Sequence, residues 1–229
     1  MSRQPPPHLT AESADVSVRE VRERVVRRDA ARKRVLDLGV GVPALVACLP
    51  LGLVIAVLVK LTSRGPVLFR QERVGSGGEC FELIKFRTMR HGTHREVLQS
   101  DELRAAYVAN GFKLRPDDER ITKVGRFLRK TSLDELPQLV NVVRGEMSLV
   151  GIRPLLKVEL ELRDVSDQAI YQLMRPGMTG LWQVEGRSTV HPVDRLRLDR
   201  RYVETWSLWN DVKLLARTPL AVLRIHQAD

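Results

Sequence analysis

Residues 38–59, LGVGVPALVACLPLGLVIAVLV, form an uninterrupted apolar run with no charged side chain. As a helix, a run of about 22 residues is roughly 33 Å long, enough to cross the hydrocarbon core of a bilayer. Two features oppose a simple crossing. Pro43 and Pro50 lie inside the run, and an interior proline removes one helical hydrogen bond and clashes with the preceding turn, so the helix bends. Both flanks are basic as well, with Arg32, Lys33 and Arg34 before the run and Lys60 and Arg64 after it. Flanking positive charge then favours neither direction and suits both ends on one face of the membrane. A re-entrant helix hairpin kinked at Pro50 satisfies both facts, provided the carbonyls freed at the kink find partners, because lipid offers none. A plain transmembrane helix and the core helix of a soluble protein are the alternatives.

Outward from this run the chain changes character. Residues 1–15 are polar and hold three consecutive prolines, a composition that suits disorder. The apolar run begins too late and is too long for a signal peptide. Residues 19–34 hold eight Lys/Arg against three Asp/Glu, half of the net charge of +10. Such a segment reads either as a solvated charged helix or as a lipid-surface helix. The overall excess of Lys and Arg favours anionic partners: phosphates, acidic lipids or nucleic acid. Aromatic residues make up only 5% of the chain, and no recognition motif accompanies them, so nucleic acid is not expected as a partner. Cys48 and Cys80 have no metal-ligand spacing and make no disulfide framework, which suits a reducing compartment. The five histidines form no H-x-x-x-H pair, which argues against a zinc site.

Downstream, residues 67–88 read as a β-hairpin around Gly75-Ser76-Gly77-Gly78. The glycine cluster matches no phosphate-binding motif and is read as a tight turn. Residues 122–131 and 132–144 suit successive helices, 155–174 a further helix, and 194–225 a helical stretch interrupted near Ser207 and Pro219. Trp206 and Trp209 stand three apart, at a spacing that fits either the membrane interface or a core pair.

Between the first two of these helices stands Ser132-Leu133-Asp134-Glu135-Leu136-Pro137-Gln138-Leu139, with Arg126 and Arg129 before it and Arg144 and Arg153 after it. Ser132 and Glu135 have the spacing of a capping box, and Asp134 would then be a stabilising acid in the first helical turn. The same geometry serves chemistry. A carboxylate at a helix start can act as a nucleophile, the N–H groups there attract phosphate, and arginines or a divalent cation offset the repulsion between carboxylate and phosphate.

These blocks occur in an order that resembles the bacterial sugar transferases, the small monotopic phosphoglycosyl transferases. The resemblance covers roughly residues 33–225. Lys33-Arg34-x-x-Asp37 opens the apolar segment; Leu61-Thr62-Ser63-Arg64-Gly65-Pro66-Val67 and Phe69-x-Gln71 follow it, and Lys85-Phe86-Arg87-Thr88-Met89 ends the hairpin. Next come Thr131 to Leu139, Asn141-Val142, Met147 to Gly151, Arg175 to Gly180, and Gln183-Val184-x-Gly186-Arg187. Each block alone is weak; together and in order they are specific. Two departures stand out: Ile152, where the family usually has Gly-Pro-Arg-Pro, and Leu49-Pro50, where it often has Ser-Pro.

The resemblance implies a two-step transfer. Asp134 attacks the sugar-proximal phosphate of a UDP-sugar and uridine monophosphate leaves. Undecaprenyl phosphate then takes the phosphosugar from Asp134. Glu135 is implied as the partner acid, magnesium as the cofactor with Asp134 as the side chain nearest to it, and Arg129, Arg153, Lys85, Arg87 and Arg187 as phosphate- or nucleotide-binding residues. For each of these five the competing reading is a solvated charge or a structural ion pair. Trp182 is a candidate to stack on uracil. The expected fold is α+β and mostly helical: a monotopic membrane protein with a re-entrant helix, a small β-hairpin and interfacial amphipathic helices. Its parts would be a basic N-terminal segment (1–32), the membrane helix (33–60) and a cytoplasmic catalytic domain (61–229) at the bacterial inner membrane. The chain would belong with the family's short members, which have no multi-span bundle before the apolar run. Membrane lipid is an implied partner and homo-oligomerisation is left open. The rival reading is a non-catalytic membrane adaptor whose basic domain recruits acidic partners.

Overall fold

The computed structural model describes residues 30–110, 114–115, 117–185 and 192–224. The expectation for the segment 1–32 therefore lies almost wholly outside the described residues. The architecture is α+β and mostly helical. The apolar run lies in α1 (Ala30–Thr62), which stays helical through both Pro43 and Pro50. The two arms expected of a hairpin are thus one continuous helical element, not two helices joined by a turn. Along it, Val46, Leu49, Leu53, Val54, Val57 and Leu61 are all exposed, while Ile55 and Val59 are buried against Phe86 and Leu128. Nearer its start, Gly41 faces Val142 and Leu149, and Ala44 and Leu45 pack on the main core. One side of α1 therefore lies on the domain along most of its length, and the other side is bare hydrocarbon.

The predicted hairpin is present. β1 (Leu68–Val74) pairs antiparallel with β2 (Cys80–Phe86), Leu68 opposite Phe86 and Val74 opposite Cys80. Its turn carries Gly77 and Gly78, both at positive φ, as tight hairpin turns demand. Two short helices follow, α2 (Thr93–Gln99) and α3 (Asp101–Ala109), then α4 (Lys123–Thr131), a three-residue 3₁₀ turn (Leu133–Glu135) and α5 (Gln138–Arg144). β3 (Ser148–Val150) pairs parallel with β4 (Gly177–Thr179), forming a second two-stranded sheet. Between these strands lie α6 (Lys157–Glu161) and α7 (Val165–Gln172). The single helix expected over 155–174 is therefore split in two, with the break at Leu162–Asp164. The chain ends in α8 (Leu181–Glu185), α9 (Pro192–Glu204) and α10 (Leu208–Arg224). The break near Ser207 is as expected, but α10 continues through Pro219.

The main core gathers Leu83 from the hairpin, Leu139 and Val142 from α5, Met147 to Val150, Tyr171, Tyr202 and Leu214. The two tryptophans part company: Trp206 packs against this core, whereas Trp209 is 65% exposed.

Candidate active site

The site is built where α4 ends. Thr122 caps α4, its hydroxyl accepting from the Gly125 N–H at 2.9 Å. α4 lies so close to the hairpin's exit that a Cβ on Gly125 would fall 1.9 Å from the Thr88 carbonyl oxygen. Only glycine permits that approach, and it brings Arg129, one turn on, to Thr88, where Nε donates to Oγ1 at 2.9 Å. α4 then stops at Ser132, whose φ of 58° is left-handed, the conformation that closes many helix C-termini. Asp134 follows in the 3₁₀ turn and is 9% exposed. Burial holds the Arg129 guanidinium below its ordinary value, and the negative charge of Asp134 opposes that shift. The carboxylate thus has a half-buried cation at its side.

Here the capping-box expectation fails. Ser132 already terminates α4 in the left-handed region, so it cannot also take the extended backbone of an N-cap. Its side chain caps no N–H of the turn. Asp134 is accordingly not in the first turn of a helix: α5 begins four residues later, and a three-residue turn sums too few peptide dipoles to attract an anion strongly.

Glu135 instead meets Lys85, Nζ to Oε1 at 2.8 Å, with both side chains about one-quarter exposed (26% and 27%). A pair fifty residues apart in sequence is aligned by Asn141. That fully buried side chain accepts from the Ile84 N–H at 3.1 Å and donates to the Glu82 carbonyl at 2.7 Å and to Glu146 at 2.6 Å. Asn141 thereby stitches β2 to α5, and with them Lys85 to the turn ahead of α5. Thr88 and Asn141 both lie in the sequence blocks noted above, but no local pattern announces their partners.

The remaining basic residues divide. Arg87 is buried and its terminal nitrogens donate to the carbonyls of Pro66, Ser63 and Val59. It fastens the end of α1 to the hairpin, and those donors are not turned to a phosphate. Arg153 is half-buried, its Nε is buried without a hydrogen-bond partner, and among the described residues no acid is paired with it. It lies among cations: its charge depresses both Arg73 and Arg195, each of which is lowered first by burial. Arg187 lies outside the described residues. Pro50 is an exposed position within α1. Trp182 is buried with Arg195 stacked 4.5 Å from its ring centre, so a guanidinium covers one face of the ring suggested for uracil.

Beyond Arg129, Arg120 grips Asp118 with two nitrogens at 2.9 and 2.6 Å. Those hydrogen bonds hold the Asp118 carboxyl below the usual range against its burial, and Arg129 adds to them. An open cleft of about 460 Å³ near this pair is lined by Glu96, Leu103, Arg115, Asp117, Asp118, Glu119 and Arg120. Neither Asp134 nor Glu135 lines it, and four carboxylates repel a diphosphate, so the cleft is not assigned as the site.

Among the described residues no three His, Cys, Asp or Glu side chains are grouped to hold a metal. Magnesium does not need such a group, since it binds through one or two carboxylates together with substrate phosphates. Asp134 and Glu135 are the carboxylates of the turn that could hold it, Glu135 being already paired with Lys85. Chemically, a carboxylate beside a guanidinium, with a second acid held by an ammonium, suits nucleophilic attack on an anionic centre.

The sequence model of the bacterial sugar transferase family matches residues 28–225. The UDP-galactose-lipid carrier transferase of Erwinia amylovora is 47% identical over 195 residues, which is 84% of this chain and 40% of that protein. The undecaprenyl-phosphate galactose phosphotransferase of Salmonella typhimurium is 42% identical over 217 residues, 93% of this chain and 45% of that protein. The exopolysaccharide production protein ExoY of Sinorhizobium fredii is 43% identical over 193 residues, 83% of this chain and 84% of that protein. The chain thus spans less than half of the first two relatives and most of the third.

Proposed function

Because the chain belongs to the bacterial sugar transferase family, we propose that it moves a sugar 1-phosphate from a UDP-sugar to undecaprenyl phosphate, the membrane step that begins an exopolysaccharide or capsule. The names of its relatives support the acceptor and the pathway class. The observation that carries the chemistry is Asp134, buried beside Arg129, next to a Glu135 that Lys85 holds.

In the first step an Asp134 carboxylate oxygen forms a bond to the sugar-proximal phosphorus. The bond from that phosphorus to the bridging oxygen breaks, and uridine monophosphate leaves with the electron pair. Arg129 faces the charge that gathers on the phosphoryl oxygens, where a fixed cation stabilises the transition state most. In the second step an oxygen of undecaprenyl phosphate attacks the same phosphorus, and the Asp134 carboxylate departs unchanged. Glu135, with Lys85 as counter-charge, takes the remaining proton of the incoming lipid phosphate or orients it. Asp134 and the donor diphosphate would hold magnesium, which supplies charge neutralisation at the diphosphate when bound. Arg153, without an acid partner among the described residues, is assigned to the donor's phosphates or nucleotide. Arg87 contributes by positioning.

The fold supports a monotopic arrangement. Polar groups at the start of α1 and apolar groups near its end are both fastened to the same domain: Lys33 bonds Asp211 at 2.5 Å, and Val59 is 1% exposed. A crossing helix would leave its two ends on opposite sides of the membrane. One that returns both to a single domain lies in one leaflet, its bare face toward lipid, with the domain on the cytoplasmic side of the inner membrane. In that arrangement Asp134 would stand where a lipid phosphate can meet a water-soluble donor.

The test is release of uridine monophosphate by protein in nanodiscs, with a panel of UDP-sugars, magnesium and undecaprenyl phosphate. Release with one sugar, lost in Asp134→Asn, and a phosphosugar adduct on an Asp134 peptide when acceptor is withheld are the expected results. Release that survives in Asp134→Asn would refute the covalent route, and no release with any donor would favour the adaptor reading.

A further inference from the structure

Two of the three basic residues that open α1, Lys33 and Arg34, are turned into the protein, whereas Arg32 is exposed. Lys33 is 7% exposed and its ammonium donates to the Val150 carbonyl at 2.9 Å as well as to Asp211. Asp37, 1% exposed, accepts from the Ser148 hydroxyl at 2.8 Å and the Leu149 N–H at 2.9 Å. Between them, Arg34 donates Nη1 to the Val142 carbonyl at 2.5 Å and Nη2 to the Val143 carbonyl at 2.6 Å. These carbonyls belong to the last turn of α5, which a cation complements. Gly145, left-handed at φ 87°, ends that helix, and a Cβ there would stand 3.4 Å from Arg34 Nη2.

α5 is seven residues long, about 10 Å. Arg34 holds one end of it; the other end follows directly on the Asp134–Glu135 turn. At the far end of α1, Arg87 grips the Val59, Ser63 and Pro66 carbonyls, two residues from Lys85. The apolar helix is therefore fastened to the catalytic turn from both sides, and α5 is the strut on the Arg34 side.

We infer that Arg34 is a positioning residue for the lipid half of the reaction: its two-pronged hold on α5 sets the height of Asp134 above the buried face of α1. This rests on the transfer proposed above. The soluble donor reaches Asp134 at any height, whereas a phosphate tethered to lipid does so only at one. Losing the fork should spare the first step and slow the second. Charge alone does not replace it, because a lysine ammonium cannot match two adjacent carbonyls as a planar guanidinium does.

The experiment compares wild type, Arg34→Lys and Arg34→Met in nanodiscs. A single turnover without acceptor reads the first step; steady-state transfer to undecaprenyl phosphate reads both. We expect both variants to keep the single-turnover yield and the KM for the UDP-sugar. Acceptor-dependent turnover should fall by about tenfold to a hundredfold, the range that a misplacement of about 1 Å produces, with a raised KM for the lipid. A wild-type-like Arg34→Lys would show that charge suffices, and equal losses in both steps would show a merely structural role; either result overturns the inference. If wild type itself releases no uridine monophosphate, the transfer reading fails, and a second measurement still decides on Arg34. A nitroxide at position 127, on exposed Phe127 of α4, in a Cys48→Ala/Cys80→Ser background, reports depth through collisions with oxygen and with a water-soluble nickel complex. A changed depth in Arg34→Lys supports the inference, and an unchanged depth sinks it.

Discussion

Replacing Lys33 by methionine should destabilise this protein more than its place at the edge of an apolar helix suggests. The ammonium is joined to Asp211 at 2.5 Å, and the two side chains are 8% and 0% exposed. Asp211 also accepts from the Tyr202 hydroxyl at 2.8 Å and from Trp206 Nε1 at 3.0 Å. Removing one partner of such a buried pair leaves an uncompensated charge and costs about 3–5 kcal/mol. For a chain of this size, with about 2–4 °C per kcal/mol, the thermal midpoint should fall by roughly 6–20 °C. Replacing both partners, as in Lys33→Met/Asp211→Leu, removes the buried charge. It leaves the Trp206 donor without an acceptor, at about 1–3 kcal/mol, while the Tyr202 hydroxyl keeps the Val150 carbonyl at 3.2 Å, so the recovery should be partial. The assay is thermal and urea unfolding of the three proteins in one detergent or nanodisc preparation, combined as a double-mutant cycle. A shift below about 3 °C for Lys33→Met, about 1 kcal/mol on the same scale, would refute the reasoning. It would mean that water or a headgroup solvates Lys33 and that α1 is not fastened there.

Three further outcomes follow from the geometry. Gly125→Ala places a methyl 1.9 Å from the Thr88 carbonyl; α4 must move, and single-turnover release of uridine monophosphate should fall by about a hundredfold or more, whereas an unchanged rate would show that the Arg129–Thr88 contact is dispensable. Lys85→Met removes the partner of a quarter-exposed Glu135, so urea unfolding should change by less than about 1 kcal/mol while acceptor-dependent turnover falls; a large loss of stability with normal turnover would mean that the pair is only structural. Burial raises the Asp199 carboxyl to about 7, against the opposing charges of Arg163, Arg195 and Arg153. The folded state then holds a proton that the unfolded chain gives up near pH 4, so the stability from Asp199 is full below about pH 4 and is lost as pH rises to about 7. Asp199→Asn should flatten unfolding free energy over that window, and an unaltered slope would place the titration elsewhere.

What the sequence disclosed was what local pattern encodes. The hairpin is legible because period-two apolar residues flank a glycine turn, and the acidic pair because two carboxylates stand out in a basic stretch. The S-x-x-E pattern misled because spacing does not record that Ser132 has already been used to end α4. Apolar residues spaced along 155–174, Leu156, Leu160, Ile170 and Leu173, likewise hid the break between α6 and α7. Most opaque of all were the destinations of the cations. Arg87 and Arg34 end on backbone carbonyls, Lys33 in the core and Lys85 on Glu135. Each of these partners is set by tertiary packing, so one basic residue in a string looks like another.

That sorting of cations bears on how an anionic substrate is held and released. The chain carries a net charge of +10, yet the catalytic turn itself is nearly balanced, with Arg129 facing Asp134 and Lys85 facing Glu135. A site of bare cations would bind the uridine monophosphate leaving group about as firmly as the donor and be slow to release it, since interactions equal in ground and transition states give no acceleration. In a balanced turn the attraction of Arg129 is largely offset while Asp134 carries no phosphosugar. In the proposed transfer it would become available to the phosphoryl group once Asp134 formed its bond and gave up its charge. The guanidinium would then serve the state that needs it, and the return of Asp134 to a carboxylate in the second step would restore the pair and help to expel the finished lipid diphosphate.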